Sequence, residues 1–397
     1  MRTVKLSVGR SGRKQQRRGT VIVLSAVILL IVLGIAAFTV DFGVMNITKG
    51  QTQNAADSGA HGGMMKLLDG FGPGATVSSE TAANNASKQA TTLVAKFRTD
   101  DVAATQLLAS RDVRYGRRTW NSSTNEWATS WGTSPYNMME VTVRRTQAAN
   151  APVNAIFATV FGHQKFDIES KAVAAFAPTV GFTLPSGSTD TIDILPIALD
   201  LTTWNSIVDQ ITNGNSNGFT DTKRHSSSSG NVSNDMDGIP EVNIYPDNNS
   251  SLPSGNRGTV DLGSPNNSTA DLVRQIQYGL NARDLSYFPN SRITFTNGTL
   301  TLNGDTGISA GINDALQSII GKVRAIPIFT AVSGPGNNAQ YTIVKFVGVR
   351  VMAVQLSGGP KTRHLRVQPA PFMTRNGIRG HVAVNVDSIL SQPVLIE

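Results

Sequence analysis

Cysteine is missing altogether. Its absence excludes disulfide scaffolds, thiolate metal sites and cysteine nucleophiles, but leaves the compartment open, since exported chains also do without it. Aromatic residues make up only 6% and charged residues only 16%. No basic patch interleaved with aromatics is present, so nothing points to DNA or RNA. The Gly-rich phosphate loops, the Gly-x-Ser-x-Gly elbow and the His-Glu-x-x-His zinc motif are also lacking. His61, His163, His225, His364 and His381 form no close pair. These absences predict a protein that is not an enzyme, with no catalytic residue, no cofactor and no small-molecule substrate. What is plentiful is Gly (37) and Asn (30), which suits turns and polar loops. Hydrophobic residues, at 40% of 397, suffice for a core and for two or three domains.

The net charge of +8 belongs to one end. Arg2, Lys5, Arg10, Arg13, Lys14, Arg17 and Arg18 account for seven of the 35 basic residues, leaving 28 against 27 acids in the rest of the chain. An uncharged apolar run without proline follows, from Val21 to Val40. As a helix it would span about 30 Å, the thickness of a bilayer's hydrocarbon core. It exceeds the apolar stretch of a cleavable signal peptide, about 7–15 residues. The reading is a retained single-pass anchor in the inner membrane. The basic tail places the N-terminus in the cytoplasm and the bulk outside, periplasmic or extracellular.

The stretch from Arg17 to Ala60 reads RRGTVIVLSAVILLIVLGIAAFTVDFGVMNITKGQTQNAADSGA. It resembles the N-terminal segment of the TadE/TadG-like (Tad) proteins of Flp pilus assembly, TadG in particular. The matching positions are Arg17, Arg18, Gly19, Asp41, Gly43, Gln53, Asn54, Ala55, Ala56 and Asp57. The likeness extends more loosely to Pro178, where 140–145, 156–162 and 166–178 follow a strand–helix–strand pattern. Leu24 stands where pilins carry a Glu, so the anchor is expected to escape prepilin processing. Asp200-Leu201-Thr202-Thr203-Trp204 puts Trp where a von Willebrand A metal site needs a hydroxyl, so that module is not expected. The resemblance implies a non-enzymatic component of Tad/Flp (type IVb) pilus assembly, acting by anchoring and docking, with pilus-assembly proteins or itself as partners. The alternative is a structural or adhesive envelope protein that binds another surface protein or a glycan.

On a helix, Gln53, Asn54 and Asp57 share a face, and Ala55, Ala56, Ser58, Gly59 and Ala60 keep the surface small. Such a helix serves either as a docking surface or as a packing surface for its own domain. His61, Gly62 and Gly63 follow, and each Gly lowers helix propensity by up to about 1 kcal/mol.

The fold expected is α+β: one transmembrane helix continuing into an extracytoplasmic α+β domain, then a strand-rich mixed region. The divisions are a basic tail 1–18, an anchor 19–40, a Tad-like domain 41–178, a linker-rich segment 179–257 with a mobile loop 213–235, and a C-terminal domain 258–397. Helices are expected at 79–98 (capped by Ser79), 153–161, 203–211, 269–280 and 308–320. A second folded region is expected to resume at 258–263, and strands are expected at 111–120, 138–145, 166–178, 192–199, 293–295, 299–302, 325–332, 341–356 (with a bulge), 363–369 and 381–386. Asp305-Thr306-Gly307 is a lone aspartic-protease triplet without its partner, and reads as the cap of the helix at 308. Asp235-Met236-Asp237-Gly238 resembles the middle of a calcium loop. The carboxylate that should close it is replaced by Ile244, with Glu241 nearby, so a solvated acidic turn is the leading reading and calcium the minor one.

Overall fold

The computed structural model describes residues 18–245, 256–263, 268–306, 309–335, 338–359 and 362–396. The apolar run and the polar motif after it form one helix, α1 (Arg18–Leu67), of 50 residues. At 1.5 Å per residue it is about 75 Å long. Its first half is exposed and apolar; it is long and apolar enough to cross a membrane. Its second half becomes a core element. Thr48, Thr52, Ala55, Ala56, Ala60 and Met64 recur at helical spacing and are buried.

The glycines that weaken this helix on propensity are where its neighbours come closest. A Cβ on Gly63 would stand 2.5 Å from the Met139 sulfur, and one on Gly59 2.8 Å from Val94 Cγ2. The helix continues through them because tertiary packing outweighs intrinsic preference. Helix α2 (Ser79–Val94) lies against α1 through Ala82, Ala83, Ala86 and Ala90, all buried. Its cap is Ser78, whose hydroxyl accepts from Thr81 N–H, rather than Ser79. A single turn, α3 (Ala109–Asp112), leads into the first sheet.

That sheet contains β1 (Val113–Asn121), β2 (Glu126–Trp131), β3 (Met138–Arg145), β6 (Ile168–Ala175) and β21 (Val394–Ile396), in the order β2-β1-β3-β6-β21. All pairings are antiparallel. The helices cover one face, where α1, α2, β3 and β6 enclose one core. Its edge strand β21 comes from the far end of the chain, so the fold of 41–178 takes a strand from 394–396. The helix expected at 153–161 is not formed. β4 (Val153–Asn154) pairs with β5 (Lys165–Phe166), and only Ala158–Phe161 turns, as a 3-10 helix closed by Gly162 at φ +85°.

The segment 179–257 supplies much that is buried. β7 (Thr179–Thr183) joins a three-stranded sheet with β13 (Arg292–Thr294) and β19 (Gly377–Arg379). The apolar run at 192–199 is buried but forms only β8 (Leu199–Asp200), parallel to β15 (Val323–Ser333). Asp200 caps α4 (Leu201–Asn213) by accepting from Thr203 N–H at 2.8 Å. Trp204 is 1% exposed and donates to Asp387 at 2.9 Å, which accounts for the Trp in the would-be metal motif. Within 213–235, β9 (Arg224–His225) and β10 (Val232–Ser233) form a short hairpin.

The second large sheet is organised by β16 (Ala339–Gln355). β15 runs along one edge; β14 (Leu300–Thr306) and then β17 (His364–Pro369) share the other. β11 (Val242–Tyr245) and β12 (Asn256–Val260) extend it. Register shifts along β16 supply the expected bulges. Helices α4, α5 (Thr269–Tyr278) and α7 (Asn313–Gln317) cover one core of this sheet; α6 (Ala282–Leu285) brings Leu285 to a second. The helix expected at 308–320 is a 3-10 turn (Ala310–Ile312) followed by α7; Ile308 lies outside the described residues. Ser309 caps that turn, while Asp305 and Thr306 belong to β14. The strand expected at 381–386 is not formed; the nearby pairing is β18 (Met373–Thr374) with β20 (Leu390–Ser391).

Trp204→Ala should empty the centre of the α4–sheet core and cost about 3–5 kcal/mol. Denaturant unfolding of the detergent-solubilised chain measures it; Trp204→Phe, which keeps most of the volume, should lose less.

Candidate functional site

The motif residues occupy two levels of α1. Arg17 lies outside the described residues, and Arg18 and Gly19 begin the helix. Asp41 sits just beyond the apolar run and is buried. Its carboxylate accepts three backbone N–H groups from a segment more than 110 residues away: Ile156 at 2.8 Å, Phe157 at 3.1 Å and Ala158 at 2.6 Å. These are donors at the start of the 3-10 turn, with no partner inside that turn. Asp41 therefore caps, from another element, a turn with no side-chain cap of its own. Burial alone would raise the Asp41 pKa; the three N–H groups together outweigh it and hold the carboxyl below its ordinary value.

Around this anchor point the surface is apolar. Ala37, Phe38, Phe42 and Met45 from α1 face Phe157, Phe161 and Phe166 across an open hollow of about 300 Å³. Phe38 and Phe42 stack with ring centres 6.1 Å apart. The turn itself leaves Ile156 exposed, with Val160 82% and Phe161 73% exposed. Gly43 has open space where a Cβ would stand, so close packing does not explain it.

About two to three turns higher, α1 is stapled to β6. Lys49 donates to the Glu169 carbonyl, Thr52 and Ser170 share a 2.6 Å hydroxyl contact, and Gln53 donates to the Lys171 carbonyl at 3.0 Å. Gln53 also bonds Asp57 at 2.8 Å, as the four-residue spacing predicts. Gln51 accepts from Asp100 N–H at 2.7 Å. Ala55 and Ala56 are fully buried in the shared core of α1, α2, β3 and β6. Of the two readings for this motif, burial favours packing on its own domain for the alanines; Asn54 remains exposed. The sequence reading missed the 156–161 turn as Asp41's partner. The available signal was the apolar run IFATVF, which has no polar face to suit a surface helix.

The other carboxylates are separately engaged. Asp235 pairs with Arg224 at 3.0 Å, and Asp237 accepts from Ile239 and His225 N–H. Glu241, its pKa raised by burial, accepts from Thr222 and Lys223. Among the described residues no cluster of three or more His, Asp or Glu is placed to hold a metal ion.

Two substitutions separate the levels. Asp41→Asn keeps the shape but removes the charge, so the 156–158 amides should exchange hydrogen faster at neutral pH. In the unaltered protein the depressed pKa means that this stabilisation is full above the unfolded-state pKa. It is lost as pH falls through the lower folded value. Ala56→Trp should overpack the α1–α2–sheet core and destabilise by about 1–3 kcal/mol or more, read from thermal unfolding.

No curated protein and no solved structure matches the chain. Residues 19–66, the segment that carries the anchor run, Asp41 and the Gln53–Asp57 motif, match the family model described as Putative Flp pilus-assembly TadE/G-like (Tad).

Proposed function

We propose that this protein is a single-pass inner-membrane component of a Tad/Flp pilus assembly system, acting by anchoring and protein docking without catalysis. The observation that carries this reading is the extent of the family match. It spans the apolar run and most of the buried half of α1 together, so the matching segment takes in both the anchor run and the start of the domain. Seven basic residues before the run favour a cytoplasmic N-terminus and an outward domain. Pilus-assembly proteins fixed in the same bilayer are the expected partners, since shared anchoring raises their effective concentration.

The adhesive alternative draws on a different surface. Tyr115 points to α2, where its hydroxyl donates to the Ala83 carbonyl at 2.6 Å. By strand alternation Arg114, Arg118 and Trp120 lie on the opposite face of the first sheet. There Arg114 stacks over Trp131 at 4.0 Å, Arg118 over Trp127 at 4.5 Å, and His381 on Trp120 at 4.5 Å. Such a face suits a sugar ring or a protein loop.

Alkaline phosphatase fused after Glu397 should be active, and a cytoplasm-only reporter there inactive; the reverse would overturn the topology. Capture from crosslinked cells should bring down pilus-assembly proteins, and deletion of the gene should abolish piliation. Unchanged piliation, with Trp127→Ala losing binding to envelope glycan, would favour adhesion.

A further inference from the structure

The 156–161 turn has a surface that a water-facing loop would not keep. With 21–40 in the bilayer, Phe38 and Phe42 mark the depth at which α1 leaves the hydrocarbon. Asp41 ties the Ile156–Ala158 backbone to that same depth. Ile156, Val160 and Phe161 therefore stand uncovered at the membrane boundary, and Phe161 shares one hollow with Phe38 and Phe42 of α1.

The turn's backbone is also prepared for a dry setting. Ile156, Phe157 and Ala158 N–H are taken by Asp41. Val160 donates to the Phe157 carbonyl, Gly162 to Thr159 and His163 to Ala158, each at 3.1 Å. The Thr159 hydroxyl donates to the Ile156 carbonyl. Non-helical backbone survives at membrane depth only when its polar groups find partners within the protein.

We propose that the 156–161 turn is a second membrane contact. Val160, Phe161 and Ile156 enter the outer-leaflet boundary beside α1, and the hollow between Phe38, Phe42, Phe157 and Phe161 takes a lipid acyl chain. The consequence is a domain held to the bilayer at two points rather than swivelling on one helix. This rests on the membrane reading of α1, and the test includes a separate check of that reading.

The absence of native cysteine permits single-site labelling. The full chain, reconstituted in phosphatidylethanolamine–phosphatidylglycerol nanodiscs, would carry an environment-sensitive nitrobenzoxadiazole probe at Val160→Cys or Phe161→Cys. Phe38→Cys reports the anchor and Asn121→Cys, at the exposed end of β1, reports water. Val160 is mostly exposed, so its replacement leaves packing intact, and Phe161 gives an independent reading. At 160 and 161 the emission should be blue-shifted, quenched by shallow doxyl-labelled lipid to an extent comparable with Phe38→Cys, and shielded from aqueous iodide. Iodide quenching like that at Asn121→Cys would overturn the proposal. Shielding from both iodide and doxyl lipid would also overturn it, in favour of a protein surface. Loss of lipid quenching at Phe38→Cys would overturn the anchor reading itself, whereas lipid quenching there but not at 160 and 161 would sink the second contact alone.

Discussion

Helix α1 carries two surfaces with opposite requirements on one unbroken backbone. Below Asp41 its side chains are apolar and uncovered; from Thr48 to Met64 its buried stripe is the centre of a folded core. Neither half can reorient alone. A helix without a break transmits rotation and tilt along its length, and the upper half is fixed by hydrogen bonds to β6 and by packing against α2. The height and orientation of the first sheet above a membrane therefore follow from where the apolar run sits in it. Flexible linkers, the usual means of freeing a domain from its anchor, have no place here.

This coupling explains why the helix contains residues that disfavour helices. Gly59 and Gly63 let Val94 and Met139 reach the backbone, and the alanines of α2 do the same from the other side. Dispersion falls steeply with separation, so a few tenths of an ångström across such an interface matter. The interface is made of small residues at close range, which fits a chain with only 6% aromatics.

Much of this was legible in the sequence. The apolar run, the motif helix, β3, α5 and the long bulged β16 follow from periodicity and from capping residues. The failures share a physical cause: long-range partners deciding local structure. The 156–161 segment has the apolar content of a helix, but 153–154 pair with β5 and Gly162 closes the segment in the left-handed region, so only one turn, capped by Asp41, forms. The 192–199 run is as apolar as a strand, and its burial is real, yet it makes only scattered bridges, Ile192 to Leu280, Ile194 to Ala325 and Ile197 to Thr259, before β8 pairs with β15. Strand β21 is three residues long and recognisable only by the edge of β6 that receives it. At the candidate site, Asp41 was marked by its motif, but its partner turn left only the apolar run at 156–161 as a trace, because pairing across 115 residues has no periodicity.

Two aspartates show how the same chemistry serves different levels of the fold. Asp41 receives backbone N–H groups and sets the conformation of a turn. Asp387 receives the Trp204 indole at 2.9 Å and the Lys345 ammonium at 2.5 Å, and ties an otherwise irregular stretch to α4 and β16. That stretch lies between β19 and β21, so it leads from the second region back to the first sheet. Close backbone contacts join the regions near the same place: a Cβ on Gly74 would stand 2.0 Å from the Pro369 carbonyl oxygen, and one on Gly72 2.5 Å from that of Val386. The C-terminal region thus meets the first domain at the 71–74 turn, at β21 and along the chain itself at 176–178, where Ser391 N–H donates to the Ala177 carbonyl.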